Sequence, residues 1–247
     1  AWCWKAGGSS TVSNTDGDQT TQVSLNEEAG FGIVTYTGTG SNTNIGHGLG
    51  AVPEMIITKS RSASGDWAVL DKFSTTAEYG FFLNDNGGYS SYQGGTYWND
   101  TPPTSTVFRV STNSATNASG VTYVAYCWTS IPGYSKIGKY TGNGNASGAY
   151  VYVGFRPAWV LFKRTDSGGN WFIVDNKRDP FNECTRDLYP NSFGAETNNP
   201  NFVDFLSNGF KLRTTGTAVN GSGGTYIYMA FAERPSGTMF GLDANAR

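Results

Sequence analysis

Tyr123-Val124-Ala125-Tyr126-Cys127-Trp128 is an apolar, aromatic run of β-forming residues in the middle of the chain. It recurs. Residues 225–230 read Thr-Tyr-Ile-Tyr-Met-Ala, against Thr-Tyr-Val-Ala-Tyr-Cys at 122–127, and the chain opens on Ala1-Trp2-Cys3-Trp4, which matches Ala125-Tyr126-Cys127-Trp128. The run reads as the closing strand of a repeated unit. The clipped copy at Ala1 to Trp4 is expected to be the remnant of an earlier unit or a strand completing a neighbour, with upstream sequence or processing before it.

The repeat extends outward from this strand. Tyr36-Thr37-Gly38-Thr39-Gly40 matches Tyr140-Thr141-Gly142-Asn143-Gly144 at an offset of 104 residues, and the same offset pairs Gly50 with Gly154, Pro53 with Pro157, Lys59 with Lys163, Trp67 with Trp171 and Asp71 with Asp175. Phe108-Arg109-Val110 matches Phe210-Lys211-Leu212, and Asn117-Ala118-Ser119-Gly120 matches Asn220-Gly221-Ser222-Gly223, at offsets of 102 and 103. An ungapped register from Tyr36 to Asp71 followed by small shifts is the mark of a duplication with loop changes. Each repeat is long enough to bury a core of its own.

Short β-forming runs between Gly, Asn, Ser and Pro indicate an all-β chain, and no stretch has the period of an amphipathic helix. The fold expected is two tandem, internally repeated antiparallel β-sandwich units, jelly-roll-like; one double-sized sandwich with shared sheets is the alternative. Residues 1–29 read as the strand remnant and an extended linker with one short strand at Gln22 to Leu25. Residues 30–130 form the first repeat, 131–232 the second, with a hinge near Ile131-Pro132-Gly133, and 233–247 a polar strap.

Charged residues make up only 15% of the chain and the net charge is −2, with no Lys/Arg cluster, so a general nucleic-acid binder is not expected. No apolar run has the length of a membrane helix. Three cysteines make a poor disulfide framework. Cys3 and Cys127 sit at equivalent places in aromatic runs and are expected to be buried thiols, compatible with synthesis in a bacterial cytoplasm.

Signals for chemistry are sparse. His47 is the single histidine, in Gly46-His47-Gly48, with no sign of triad partners, so a structural role is expected. Carboxylates abound, but only Asp71 and Asp175 repeat, each four residues after a tryptophan. A Trp and an Asp on one strand face could hold a ligand; a core Trp and an Asp closing a turn is the favoured reading. Asn14-Thr15-Asp16-Gly17-Asp18 resembles half of a calcium loop without its distal Glu, and reads as a turn. Asn-x-Ser/Thr triplets at Asn99, Asn117, Asn145 and Asn220 are of the kind that arise by chance in Asn/Ser/Thr-rich sequence. No cofactor or metal is expected.

The most suggestive surface is the loop from Asn84 to Asp100, Gly/Ser/Asn-rich with interleaved aromatics. Its composition is that of antibody binding loops, and its flat rings suit sugars. Tyr89, Tyr92, Tyr97, Trp98 and Asp100 are the candidate receptor- or glycan-binding residues. The corresponding loop of the second repeat, from Asn176 to Asn201, is charged and poorer in aromatics. A solvent-covering loop or a subunit contact is the plainer reading of both.

The wording YTGTGSNTNIGHGLGAVPEMIITK, the W-x-V-x-D strand, PTSTVFRV and TNASGVTYVAYCW resembles a repeat of tail-fibre and virion structural proteins of marine tailed bacteriophages. GYSKIGKYTGNG and GFRPAWVLFKR look like its second half, so the resemblance covers nearly the whole chain. It supplies no catalytic residue. It implies a non-enzymatic virion component on the tail or particle surface, self-associating as a homotrimer and contacting other virion proteins. As a tail-fibre segment or receptor-binding module it would adhere to a host surface glycan or protein. A capsid-surface decoration protein and a glycan depolymerase are the alternatives.

Overall fold

The computed structural model describes residues 2–74, 77–89 and 95–233. The protein is all-β, 41% strand and 5% helix. It divides into two compact units, one of residues 1–84 and 89–129, the other of residues 85–88 and 130–247.

In the first unit, β1 (Val12–Asn14), β2 (Thr21–Asn26), β3 (Phe31–Thr37), β5 (Met55–Ser60), β6 (Ala68–Asp71), β7 (Phe81–Phe82) and β9 (Thr122–Trp128) form one sheet in the order β1-β2-β3-β9-β5-β6-β7. A second layer pairs β4 (Thr43–Gly46) with β8 (Val107–Val110). Inward residues of both layers build one core, including Val34, Tyr36, Ile45, Ile56, Leu70, Phe108 and Cys127. In the second unit, β10 (Ser135–Thr141), β17 (Thr225–Phe231), β12 (Trp159–Arg164) and β13 (Trp171–Asp175) make one sheet in that order. The other sheet runs β11 (Tyr150–Tyr152), β16 (Gly209–Leu212), β15 (Thr197–Leu206), β14 (Cys184–Asp187). Phe162, Phe172 and Tyr228 of the first meet Val151, Phe202 and Phe210 of the second in its core.

The last strand of each unit is central in space. β9 lies antiparallel between β3 and β5, and β17 between β10 and β12. This position explains the apolar wording. In β9 the alternate residues Tyr123, Ala125 and Cys127 are fully buried, as the two-residue period of a strand requires.

One hydrogen-bonded latch occurs in both units. Tyr36 stacks on Tyr123 at 5.3 Å and 14°, and Tyr140 on Tyr226 at 5.0 Å and 14°. The Tyr123 hydroxyl donates to Ser114 O at 2.6 Å and accepts from Ala118 N at 2.8 Å. The Tyr226 hydroxyl donates to Thr217 O and accepts from Gly221 N at the same two distances. These contacts fix the one-turn helices α2 (Ser114–Asn117) and α3 (Thr217–Asn220). Buried Asn117 accepts from Thr39 N at 2.8 Å and donates to Ser41 O and Ser111 O. Asn220 accepts from Asn143 N at 3.0 Å and donates to Asn145 O and Thr214 O. Gly38 and Gly142 are required beside it, because a Cβ at either would land on the carbonyl oxygen of Ala118 or Gly221.

Several sequence expectations change. Val12–Asn14 and Thr21–Asn26 are sheet strands of the first unit, where a linker with one short strand was expected; Val23 is buried in its core and Thr21 is buried with its hydroxyl on Gly46 O. Cys127 is buried as expected, whereas Cys3 is exposed, because Trp2 to Trp4 form no strand; here the chain end contributes a ring, Trp4, set edge-on against Trp128 at 6.2 Å. The strand expected over Tyr79 to Leu83 is confined to β7. Of the expected strap, only Glu233 lies within the described residues, where it ion-pairs with Lys177. No helix among the described residues is long and apolar enough to cross a membrane.

Candidate functional site

The loop after β7 is held to the scaffold by its own aromatics. Tyr89 donates its hydroxyl to both carboxylate oxygens of Asp71, at 2.7 and 2.8 Å, and its ring stacks on Phe81 at 4.6 Å. Asp71, at the end of β6, also accepts from Phe73 N at 2.9 Å, which closes the turn. Burial pushes the Asp71 carboxyl above its ordinary pKa of 3.8 despite these donors, and burial beside that carboxylate raises the Tyr89 phenol as well. The pair forms a closed anchor.

Tyr97 and Trp98 lie on α1 (Gly95–Trp98). Trp98 is 1% exposed and joins the first core. Gly80 makes room for it, since a Cβ there would stand 3.1 Å from Trp98 Nε1. A ring so enclosed packs on protein, so Trp98 is corrected from a contact residue to a core residue. Half-buried Tyr97 sets its ring edge-on to Phe82 at 5.4 Å, and its carbonyl accepts from Ser111 N and Thr116 Oγ1. Asn99 and Asp100 take positive φ, 55° and 46°, where the chain turns out of α1, and Asp100 is exposed. Tyr92 lies outside the described residues. Of the five candidates, the structure leaves Asp100 exposed, packs Tyr97 half-buried against the first core, and commits Tyr89 and Trp98 inward.

The other sequence signals resolve into structure. His47 is fully buried. Its Nδ1 accepts from Leu49 N at 3.1 Å, so Nε2 carries the proton and donates to Thr104 O at 3.1 Å. Burial lowers its pKa below 6.5, and the neutral ring is a two-ended strut. Trp67 and Asp71 go to different partners, Trp67 stacking on Tyr126 at 6.5 Å. Asn14, Asp16 and Asp18 form a turn in which Asp18 accepts from Asn44 N at 2.7 Å. No group of three or more His, Cys, Asp or Glu is placed to hold a metal among the described residues.

In the second unit the corresponding loop, charged in its sequence, is organised by ion pairs. Asp175 accepts from Lys177 N, Arg178 N and, at 2.6 Å, Arg178 Nε. Burial alone would raise its pKa, but the Arg178 hydrogen bond and charge outweigh that and hold it below the ordinary value. Arg178 continues to Glu196 at 3.2 Å, and Arg186 joins Glu196 to Asp179, each at 3.7 Å. Buried Asp187 accepts from Thr197 Oγ1 and Asn199 Nδ2.

Fold and loops thus define a two-unit, all-β protein whose units carry differently built loops. Residues 1–235 match the family described as a domain of unknown function, DUF7483, and the chain belongs to that family. No curated protein and no solved structure matches it.

Proposed function

We propose that the chain is a non-enzymatic bacteriophage virion structural protein, a tail-fibre segment or receptor-binding module that adheres to a host surface glycan or protein. One observation carries the reading. The two units keep the same tyrosine–asparagine latch, while the loop after β7 is anchored by Tyr89 on Asp71 and the segment after β13 by Arg178 on Asp175. A constant frame with divergent loops is the arrangement in which recognition sits on loops. The resemblance of the repeat wording to phage tail-fibre and virion proteins supports the same reading. So do the structural engagements of His47, Asp71 and Asp175.

In this proposal the loop carrying Tyr97 and Asp100 faces the receptor. Homotrimer formation supplies avidity to weak single contacts. Other virion proteins are the further partners, and the protein is placed on the tail or particle surface after synthesis in the bacterial cytoplasm.

The test is competition. The purified full chain is expected to bind host cells and to slow adsorption of the phage that carries it. Asp100→Ala and Tyr97→Ala should weaken both effects several-fold. Labelling of the head by an antibody to the chain, with no effect on adsorption, would replace the adhesion reading by a capsid-decoration one. Release of reducing sugar from host polysaccharide would overturn the non-enzymatic part.

A further inference from the structure

The second unit carries two exposed aromatic rings that no contact of its core uses. On β11, Tyr150 and Tyr152 are 48% and 59% exposed, while Val151 between them is buried. Alternate strand residues point to one side, so the two rings stand roughly 7 Å apart on the outer face of the sheet. The Tyr150 hydroxyl donates to Asn208 Oδ1 at 2.7 Å, which orients that ring. Lys136 Nζ lies 5.5 Å from the Tyr152 ring centroid and 3.4 Å from its carbonyl oxygen. Lys211, the strand partner of Tyr150, sets its Nζ 3.1 Å from Ser147 Oγ. Asp204, next in the same cross-strand row, is ion-paired with Arg213 at 3.5 Å. Neither Lys136 nor Lys211 is in an ion pair among the described residues.

The first unit shows how this strand is covered when it is covered. By strand pairing, Val151 opposite Phe210 takes the place of Ile45 opposite Phe108, so Tyr150 and Tyr152 correspond to Asn44 and Gly46. There the N-terminal segment lies on the strand: Thr21 Oγ1 donates to Gly46 O at 2.8 Å, and Asp18 N to Asn44 O at 2.9 Å. A Cβ on Gly46 would land on Asn14 Oδ1. A tyrosine in place of Gly46 excludes that packing, so the N-terminal segment of a second copy does not fit β11 in this way. The second unit instead offers two flat apolar faces with a primary ammonium beside each.

We propose that Tyr150 and Tyr152, flanked by Lys136 and Lys211, form a binding platform for an acidic, uronate-containing polysaccharide. Sugar C–H faces stack on the rings, and the carboxylates take charge-assisted hydrogen bonds from the lysines. The surface is flat, which suits a polymer gripped weakly at many copies rather than a small molecule held in a pocket. The inference deepens the adhesion reading by naming a ligand class, yet it rests on a different surface from the loop. Purified polysaccharide tests it without a host cell, so the two can fail separately.

The experiment is affinity electrophoresis of the full chain through gels containing polygalacturonate, alginate or hyaluronate, with neutral dextran as reference. Retardation by at least one acidic polymer and none by dextran is expected. Tyr152→Ala should weaken it at least tenfold with an unchanged thermal melt, and Lys136→Gln with Lys211→Gln should reduce its salt dependence. No retardation by any of the three acidic polymers would overturn the proposal, as would retardation that survives Tyr150→Ala and Tyr152→Ala together. Self-association in sedimentation velocity that Tyr152→Ala abolishes would assign the face to a second copy and equally overturn it.

Discussion

Lys59 and Lys163 stand at equivalent positions in the two units and have opposite surroundings. Lys59 is half-buried at the rim, its Nζ 3.2 Å from Ser60 Oγ. Lys163 is 1% exposed, donates to Asn86 O at 3.1 Å and Gly169 O at 2.6 Å, and lies 5.7 Å from the Trp171 ring centroid. Burial pushes its pKa down to about 8. The neighbouring pairs diverge likewise: Trp67 is half-buried and Trp171 fully buried, while Asp71 is met by a phenol and Asp175 by a guanidinium. A strand frame fixes where side chains point, and the loops packed on it decide what chemistry each one meets.

The largest test of this contrast is truncation of the paired tryptophans. Trp171→Ala removes a fully buried ring and is expected to cost about 4 kcal/mol. Trp67→Ala removes a half-buried one and should cost about half as much. Denaturant unfolding of both variants measures this, and equal losses would break the claim that the two sites differ. Next come the latch asparagines, for which the units should agree. Asn117→Ala and Asn220→Ala each leave several buried groups unpaired, for an expected loss of about 3 kcal/mol. Losses differing by more than about 1 kcal/mol would exceed ordinary context effects and show that the latch is not the same device twice.

The all-β class and the core strands were legible because alternation and β-branched runs report burial locally. Thr21-Gln22-Val23 alternates correctly for β2, but beside Gly/Ser-rich sequence it reads as less than it is. The one-turn helices α1, α2 and α3 carry no period to detect, being shorter than the pattern that marks a helix. The candidate site fared worse, for a physical reason. Composition identifies Asn84 to Asp100 as aromatic and small, yet whether a ring faces solvent depends on distant partners. Tyr89 is fixed by Asp71, 18 residues away, and Trp98 is admitted to the core by the missing side chain of Gly80. The exposure of Tyr150 and Tyr152, with Tyr152 at the place that Gly46 holds in the first unit, is legible only from the strand pairing.

The aspartates provide a smaller effect with opposite signs. Asp175 has its pKa lowered, so its stabilisation is complete above 3.8 and is lost as pH falls through the lowered value. Asp71 has its pKa raised, so the native state takes up its proton first, and stability from this group increases as pH falls from the raised value to 3.8. Asp175→Asn should therefore cost about 2 kcal/mol at neutral pH, from a charge-assisted bond to Arg178, with the deficit shrinking in acid. For Asp71→Asn the deficit should instead grow in acid. Melting temperatures of the two variants and the parent between pH 3 and 7 decide this, and parallel curves would refute the contrast.

The smallest perturbation is chemical labelling, which alters no residue before the reading is taken. Cys3 is exposed, while Cys127 and Cys184 are buried, one in each core. Burial raises both buried thiols, Cys184 to about 12 with nearby carboxylates adding to the effect, so almost no thiolate exists at neutral pH. A thiol reagent on the native protein is expected to modify Cys3 quickly and the other two only through opening of their units. The rates at Cys127 and Cys184 then report the stability of each unit separately. Trp171→Ala should accelerate Cys184 and leave Cys127 unchanged if the units open independently. Equal acceleration of both would mean that the two cores unfold as one.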